Sequence, residues 1–267
     1  MSDAVERWAL VLGASSGFGA ATSLELAKRG FHIAGVHLDR KATLANVEQI
    51  VQRITQAGRQ ARFCNVNAAD PEKRAEVLDQ LTPVLSGSRP AGKIMLLMHS
   101  LAFGTLKPYI SDDAKNAITK EQMEMTLDVM ANSLVYWVQD LVARKLFGRG
   151  AHIVAMTSSG GSRVWPTYGA VSAAKAALES HVRQLAMELA PYEISVNSIR
   201  AGVTDTPALR KIPGNEQMME FAKLRNPFHR LTTTDDVARA IGELASSSSV
   251  WITGNVIGAD GGEDILG

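Results

Sequence analysis

Short apolar runs alternate with helical segments along almost the whole chain, and this alternation constrains the fold more than any other feature of the sequence. Strand-length runs lie at residues 8–12, 31–38, 60–66, 93–100, 151–158, 193–199 and 255–262. Helical patterns fill the intervals, ending at Gly30 and then covering 41–58, 71–85, 121–147, 171–189 and 232–245. Parallel strands joined by helical crossovers are the economical way to bury such runs. The sequence therefore predicts an α/β fold with a doubly wound, seven-stranded parallel sheet and helices on both faces.

The composition narrows the class of protein. The chain has 267 residues, a formal net charge of +1 and one cysteine, Cys64. No global charge favours nucleic acid, no apolar run approaches a membrane span, and no disulfide can form within the chain. The N-terminus, MSDAVERW, carries charges rather than an apolar signal segment. With no linker or low-complexity stretch, we expect a single domain over 1–267 in the cytoplasm, with no nucleic-acid partner.

The first strand is followed by a glycine-rich turn, GASSGFG, that leads into a helix. A dinucleotide needs such a turn, because the backbone must approach the pyrophosphate closely and a helix N-terminus must face it. The alternative is a tight turn that only packs the helix on the strand. We favour a Rossmann-type dinucleotide site built from Gly13, Ser15, Ser16, Gly17, Phe18 and Gly19.

The end of the second strand, VHLDRKA, is expected to contact the adenosine ribose. Asp39 can accept a hydrogen bond from a ribose hydroxyl, whereas His37, Arg40 and Lys41 can meet a 2′-phosphate. A solvated charged loop is the alternative. Because the basic residues outnumber the acid, the sequence favours NADP(H) over NAD(H), with His37 and Arg40 near the phosphate.

The stretch TYGAVSAAKAAL contains Tyr168 and Lys175, seven residues apart. Seven residues make about two helical turns, so the two side chains would project from one face. The phenol can donate a hydrogen bond while neutral, and the ammonium can hold a cofactor ribose. The pair therefore predicts the catalytic helix, with a harmless polar pair on an amphipathic helix as the alternative. His181 and His229 have no second ligand at metal spacing, so no metal is expected.

Along nearly its whole length the chain resembles the short-chain dehydrogenases/reductases. GASSGFG looks like the glycine motif of that family, Asn65 and Val66 lie where the family contacts adenine, and ITGNVIGADGG looks like its closing strand. Three features depart from the usual pattern. Val171 stands where the family usually has tyrosine, MHSLAFG follows the fourth strand, and Met130 aligns with the usual helix asparagine, with Asn132 out of register.

These departures, together with Ala201 and Gly202 in IRAGVTDT, resemble the divergent branch of bacterial enoyl-acyl-carrier-protein reductases, of the NADPH-using type. The resemblance implies reduction of a trans-2-enoyl thioester, carried on acyl carrier protein, by a homotetramer that pairs the 121–147 and 171–189 helices across subunits. Tyr168 would stabilise the enolate oxygen, Lys175 would hold the ribose, and Ser158 would bond the substrate oxygen or orient Tyr168. The resemblance adds these residues to the cofactor site: Ser100, Gly202, Thr204 and Lys175.

A substrate cover is expected at 206–228, where two prolines, a glycine and a methionine-rich helical pattern suit an adaptable lid over an acyl chain. A core-packed helix or an oligomer interface is the alternative for this segment. Two other functions remain open: reduction of a β-keto thioester or other carbonyl, and a non-catalytic dinucleotide-binding scaffold.

Overall fold

Seven strands form one sheet in which every neighbouring pair is parallel. The computed structural model describes residues 5–266. The strands are β1 (Glu6–Leu12), β2 (His32–His37), β3 (Ala61–Asn65), β4 (Gly92–His99), β5 (Phe147–Thr157), β6 (Ser195–Ala201) and β7 (Val256–Ala259). Their order across the sheet is β3-β2-β1-β4-β5-β6-β7. The direction of winding reverses between β1 and β4, and ligands of open α/β sheets bind beyond the carboxyl ends of the strands at such a reversal. The predicted fold class is confirmed.

Eight α-helices connect and flank the described strands. They are α1 (Gly17–Lys28), α2 (Leu44–Gln56), α3 (Pro71–Gly87), α4 (Lys120–Leu127), α5 (Ser133–Ala143), α6 (Gly169–Leu189), α7 (Asn215–Arg225) and α8 (Thr234–Ser246). Several helix starts follow directly from the sequence. Asp70 accepts hydrogen bonds from the first-turn amides of α3, and Thr233 and Asp236 form a capping box at α8. Such caps satisfy backbone donors that have no partner within the helix.

The hydrophobic core lies in two layers, one on each face of the sheet. Strand β1 shows the division, because successive side chains of a strand point to opposite faces. Trp8, Leu10 and Leu12 pack with residues of α3, α5 and α6. Ala9 and Val11 pack with residues of α1, α2 and α8 on the other face. Within residues 5–266 no helix is long and apolar enough to cross a membrane.

The predicted helix over 121–147 is wrong as a single element. In the structure α4 ends at Leu127, a π-helical segment covers Asp128–Asn132, and α5 ends at Ala143. Strand β5 then begins at Phe147, four residues before the predicted start. Two glycines hid this longer strand, because glycine is unfavourable inside a strand. A Cβ atom at Gly148 would lie 2.4 Å from the sulfur of Met95, so close strand packing requires glycine there.

Helix α6 begins at Gly169, two residues earlier than predicted, and Tyr168 lies at its start as the N-cap residue. The backbone N–H of Ser172 donates to the carbonyl oxygen of Tyr168 at 2.8 Å, which is the first bond of the helix. Tyr168 is therefore fixed at the entrance of α6, whereas Lys175 lies inside the helix. The first residue of the predicted pair therefore caps the helix, and the second lies about two turns inside it.

Candidate active site

The glycine turn packs against the carboxyl end of β4. A Cβ atom at Gly13, where φ is 90°, would lie 2.3 Å from the carbonyl oxygen of Ser100. A Cβ atom at Gly19 would lie 2.0 Å from the carbonyl oxygen of Gly13. Neither position tolerates a side chain, so these glycines hold the turn, the end of β4 and the start of α1 close together.

The N-terminus of α1 offers an anion cradle. Ser16 is its N-cap residue, and its side chain makes no capping bond. The backbone N–H groups of Gly17, Phe18 and Gly19 have no partner within the helix, which is the property that makes helix N-termini bind phosphate. A Cβ atom at Gly17 would lie 3.6 Å from Cγ2 of Thr206. These unpartnered N–H groups are suited to a phosphate, so the residues present fit a dinucleotide.

The end of β2 is organised by a carboxylate. Asp39 Oδ2 lies 2.9 Å from Nδ1 of His37, and its Oδ1 accepts a 2.7 Å bond from Thr43. Partial burial raises the pKa of Asp39, but hydrogen bonds from Ser15, Thr43 and His37 outweigh it and hold that pKa below its usual value. The side chain of Asn65 bonds both the N–H and the carbonyl oxygen of Asp39, at 2.8 and 3.0 Å. Asn65 thus supports the Asp39 loop, and Val66 donates to the carbonyl of His37 at 2.8 Å.

The side chains of Tyr168 and Ser158 both lie next to Gly160. A Cβ atom at Gly160 would lie 2.5 Å from Cε1 of Tyr168 and 3.2 Å from Oγ of Ser158. Burial raises the pKa of Tyr168, and the neighbouring Ser158 hydroxyl opposes this shift. The Ser158 hydroxyl is buried and makes no hydrogen bond of good geometry. The structure therefore presents a neutral phenol and a free hydroxyl side by side.

The backbone before Tyr168 is strained. Thr167 has a φ of 63°, in the left-handed region that β-branched residues rarely adopt. Its Oγ1 atom is buried and has no hydrogen-bond partner. Such conformations cost about 1–3 kcal/mol and concentrate at functional sites. The strain occurs at the residue immediately before Tyr168.

Lys175 is buried, with only 6% of its surface exposed. Its Nζ atom donates a 2.6 Å hydrogen bond to the carbonyl oxygen of Met156, two residues before Ser158 on β5. Burial lowers the pKa of Lys175 to about 8, and the carboxylate of Glu179 opposes this shift. An ammonium has three donors, so two remain for a ribose or another acceptor.

His99, the last residue of β4, is fully buried. Its Nε2 atom lies 2.9 Å from Oγ of Ser133, and that hydroxyl donates to the carbonyl oxygen of Val129. Nε2 is therefore the protonated ring nitrogen. Burial, and secondarily the positive charge of Lys175, lower the pKa of His99 to about 3. The imidazole is neutral at physiological pH, which suits a packing role better than acid–base chemistry.

Beyond β6 the backbone is held by a carboxylate near the C-terminus. Glu263 accepts hydrogen bonds from the N–H of Val203 at 3.1 and 3.2 Å. A Cβ atom at Gly202 would lie 2.3 Å from Oγ1 of Thr232, so only glycine fits. Thr204 is buried and donates to the carbonyl oxygen of Gly202 at 2.9 Å. Gly202 and Thr204 lie at the carboxyl end of β6, on the same edge of the sheet as Ser100.

Sequence reasoning missed two residues that border this site. A Cβ atom at Gly169 would lie 2.6 Å from Cζ of Tyr109, which stands on the loop after β4. Trp165 donates from Nε1 to the carbonyl oxygen of Pro213 at 3.0 Å, within the predicted substrate cover. Neither residue belongs to a motif, and only the folded chain brings these loops to the entrance of α6. His37 and Arg40 belong to a different part of the site: His37 is the last residue of β2, and Arg40 follows three residues later.

Comparison with known proteins identifies the family. Residues 13–263 match the sequence model of the family described as Enoyl-(Acyl carrier protein) reductase. The chain is 29% identical to 1-cyclohexenylcarbonyl-CoA reductase of Streptomyces collinus over 96% of this chain and 86% of that one. It is 35% identical to the enoyl-[acyl-carrier-protein] reductase [NADH] of Synechocystis over 66% of this chain and 67% of that one.

A ketone reductase is similar in structure. The solved structure of the promiscuous reductase LugOII, described as catalysing keto-reduction at C1 during lugdunomycin biosynthesis, matches with a TM-score of 0.81 and 28% identity. The match covers 99% of this chain and 100% of that one. The relatives therefore act on both enoyl and keto groups.

The prediction of NADP(H) over NAD(H) is wrong. The Synechocystis enoyl reductase is named as an NADH enzyme, as are similar enoyl reductases of Aquifex aeolicus and Escherichia coli. The structure gives a physical reason. His37 is 6% exposed and its ring is paired with Asp39, so it is not open to a phosphate. The count of basic residues misled because it ignored position: the Asp39 carboxylate, bonded to His37, lies at the strand end, and Arg40 and Lys41 follow it as exposed side chains.

Proposed function

Because the chain belongs to the enoyl-(acyl carrier protein) reductase family of the short-chain dehydrogenases/reductases, we propose that it reduces a trans-2-enoyl thioester. The observation that carries this proposal is the placement of Tyr168. Its neutral phenol stands beside the free Ser158 hydroxyl at the start of the helix that carries Lys175, seven residues later. This arrangement supplies a hydrogen-bond donor for an oxyanion in a partly enclosed site.

The reaction places a hydride on the β-carbon of the substrate, and negative charge then develops on the thioester oxygen. Uptake of a proton from solvent at the α-carbon completes the reduction. A bound nicotinamide dinucleotide supplies that hydride. Donors aimed at an oxygen where charge develops lower the barrier, because they stabilise the transition state more than the ground state. The phenol of Tyr168 donates to this oxygen, and Ser158 either shares the oxygen or orients the phenol. Lys175 adds positive charge near the oxyanion.

The dinucleotide is held by the residues at the carboxyl edge of the sheet. The α1 cradle formed by Ser15, Ser16, Gly17, Phe18 and Gly19 takes the pyrophosphate, with Gly13 allowing close approach. Val66 borders the adenine, Lys175 takes the nicotinamide ribose, and Ser100, Gly202 and Thr204 border the nicotinamide. We propose NAD(H) as the cofactor, because Asp39 is suited to accept from the adenosine ribose hydroxyls and would repel a 2′-phosphate. The NADH relatives support this choice.

The substrate enters between two segments. The loop after β4 places Tyr109, half exposed, against Gly169 beside Tyr168. The proposed cover over 206–228 contains α7, and Trp165 ties it to the loop before α6. We propose that these segments enclose the acyl thioester, carried on acyl carrier protein in fatty-acid synthesis. The enoyl thioester reductase of Streptomyces, which is named for a coenzyme A substrate, is the reason to test both carriers.

Reduction of a β-keto thioester is the second candidate, and the whole-length similarity to LugOII favours it. The two reactions differ in how far the oxygen lies from the carbon that receives the hydride. In a ketone they are directly bonded, whereas in an enoyl thioester two further atoms separate them. Val171, one turn nearer to Lys175, is buried with Met130 and Leu106 in an apolar cluster. A phenol at Tyr168 rather than at 171 therefore fits the longer reach.

The two candidates are separated by direct assay of the purified protein with NADH. Consumption of NADH with crotonyl thioester, and not with acetoacetyl thioester, is the expected result. The reverse preference would establish the keto reductase and overturn the proposed function. A protein that oxidises NADH with neither thioester but binds the cofactor would favour the scaffold.

We propose a homotetramer in which helices of the α4–α5 region and α6 pair across subunits. Tyr136 on α5 and Met187 on α6 are 37% and 65% exposed, which is apolar surface that such pairing would cover. Light scattering at micromolar concentration is the test, and a monomer there would contradict the proposal.

A further inference from the structure

Glu179 lies on α6 one helical turn after Lys175, and the mechanism above gives it no role. Its Oε1 atom accepts a 2.6 Å hydrogen bond from Oγ1 of Thr157. Thr157 is the last residue of β5 and is 5% exposed. The bond therefore joins α6 to the end of the strand immediately before Ser158.

The loop after β5 closes over Glu179 and Lys175 together. A Cβ atom at Gly161 would lie 3.1 Å from Oε1 of Glu179 and 3.6 Å from Cβ of Lys175. Residues four apart on a helix are neighbours on its surface. The next glycine of the same loop, Gly160, borders Tyr168 and Ser158. One short turn thus brings the carboxylate and the three proposed catalytic side chains into the same region.

Glu179 is the acidic group whose negative charge raises the pKa of Lys175. The other titratable group that interacts with Lys175 is His99, which is neutral. Charged groups on the elements around α6 have partners elsewhere: Arg200 and Arg163 pair with Asp264, Asp140 pairs with Arg74, His181 bonds Asn132, and His152 bonds Ser195. A buried ammonium needs such a counter-charge, because desolvation favours its neutral form.

We propose that Glu179 is a positioning residue that keeps the ammonium of Lys175 charged for cofactor binding, and that Thr157 holds the carboxylate in place. This inference rests on the proposed function, in which Lys175 contacts the ribose. The charge on Lys175 strengthens its hydrogen bond to the ribose and stabilises the oxyanion that Tyr168 contacts. Activity should therefore fall as the pH rises through the pKa of Lys175, and Glu179 should set the pH at which it falls.

Two substitutions separate the charge of Glu179 from its structural contact. Glu179→Gln removes the charge but keeps an oxygen that can accept from Thr157. Thr157→Val removes the hydrogen bond but keeps the charge. Glu188→Gln, an exposed carboxylate on the same helix, is the matched control. The alkaline limb of kcat/KM should move to lower pH by about 1 unit in Glu179→Gln, as expected when a neighbouring opposite charge is lost. It should move less in Thr157→Val and not at all in the control.

The protonation of Lys175 can also be measured by an NMR titration of its side-chain nitrogen, without substrate or cofactor. In protein with ¹⁵N-labelled lysine side chains, Lys175→Met identifies the Lys175 signal, and its midpoint is expected at about pH 8 in the wild type. A midpoint about 1 unit lower in Glu179→Gln supports the inference. An unchanged midpoint overturns it, as does a Glu179→Gln profile that keeps the wild-type alkaline limb. Because the titration needs no turnover, it stands even if the enoyl thioester is not a substrate.

Discussion

Lys175 donates a 2.6 Å hydrogen bond from Nζ to the carbonyl oxygen of Met156, and this contact joins the helix α6 to the strand β5. The bond fixes the ammonium at the carboxyl edge of the sheet, two residues before Ser158. It satisfies one of three donors, so a buried charge is retained at some cost in stability. A buried amine held in this way has consequences for both stability and catalysis.

The free energy of unfolding of the cofactor-free protein should rise with pH because of Lys175. The pKa of Lys175 is about 8 in the folded protein, and we take the ordinary lysine value of 10.5 for the unfolded protein. Below pH 8 both states hold the proton, and between these values the unfolded state binds more protons, so stability increases with pH. One pKa unit corresponds to about 1.4 kcal/mol, so the free energy of unfolding should increase by about 3 kcal/mol across this pH interval.

The measurement is urea unfolding of the wild type and Lys175→Met at fixed protein concentration, across the pH range above and below 8. The stability of the wild type relative to the variant should be constant below pH 8 and should grow above it. A difference that stays flat or shrinks with rising pH would show that Lys175 is not held with a depressed pKa.

Thr167→Gly should stabilise the protein and reduce turnover. Glycine adopts a positive φ without the cost of about 1–2 kcal/mol that other residues pay, although it loses about 0.5–1 kcal/mol of backbone entropy. The net gain is about 1 kcal/mol, and the buried, unpaired Oγ1 is removed as well. Turnover falls because Tyr168 is less firmly directed.

Lys145→Gly is the matched control, since Lys145 has a φ of 55° after α5 and lies at the opposite end of β5. It should raise the unfolding midpoint while leaving kcat unchanged. Equal kcat in Thr167→Gly and the wild type would mean that the strained backbone does not serve the site.

Asp39→Asn should weaken discrimination between NADH and NADPH. The carboxylate accepts from the ribose and repels the 2′-phosphate, so kcat/KM for NADH should exceed that for NADPH in the wild type. Losing a hydrogen bond to a charged group costs about 1.5–3 kcal/mol, or roughly 10- to 100-fold in kcat/KM for NADH. Glu48→Gln, an exposed carboxylate on α2, serves as the control. If Asp39→Asn retains the wild-type ratio of the two cofactors, Asp39 does not select the ribose.

Trp165→Phe should loosen the segment 206–228. It removes the 3.0 Å bond from Nε1 to the Pro213 carbonyl while keeping an aromatic ring at position 165. A hydrogen bond contributes about 1 kcal/mol, so opening of the segment should increase about fivefold. The rate of trypsin cleavage measures this opening, because the trypsin sites Arg210 and Lys211 lie within the segment. The control is Trp251→Phe, because Trp251 is 91% exposed, and trypsin should cleave this variant at the wild-type rate. Equal cleavage rates for the two variants would show that the Trp165–Pro213 bond does not hold the segment closed.

Much of the fold follows from local patterns in the sequence. Strands β1 and β4 contain continuous apolar runs, and the cap at Asp70 marks the start of α3. Gly13 is required in the turn after β1 because the backbone of Ser100 approaches it closely. The order of apolar runs and helices is sufficient to predict a parallel sheet. The region after Lys120 is different, because its residues favour one long helix. The π-helical segment packs against α6, and the early start of β5 depends on packing against β4. Sequence periodicity reports neither contact.

The site was predictable in its parts but not in its arrangement. The Tyr168–Lys175 spacing identified the two side chains, yet the capping position of Tyr168 and its approach to Gly160 depend on the loop after β5. The bond between Lys175 and Met156 joins residues nineteen apart on different elements. The pairing of His37 with Asp39 was visible in principle, because residues two apart on an extended segment share a face. Counting charges without that geometry led to the wrong cofactor.

The central claim is that the hydroxyl of Tyr168 stabilises the enolate of an enoyl thioester. Its most direct test is the rate of NADH oxidation by crotonyl thioester in a single turnover, measured for the wild type, Tyr168→Phe and the control Tyr192→Phe, whose ring is 53% exposed. Loss of one oxyanion donor typically costs about 10²–10³ in rate. We expect a loss of that size in Tyr168→Phe, with NADH affinity retained and Tyr192→Phe equal to the wild type. A Tyr168→Phe rate close to the wild-type rate would contradict the claim and leave Ser158 or a bound water as the donor.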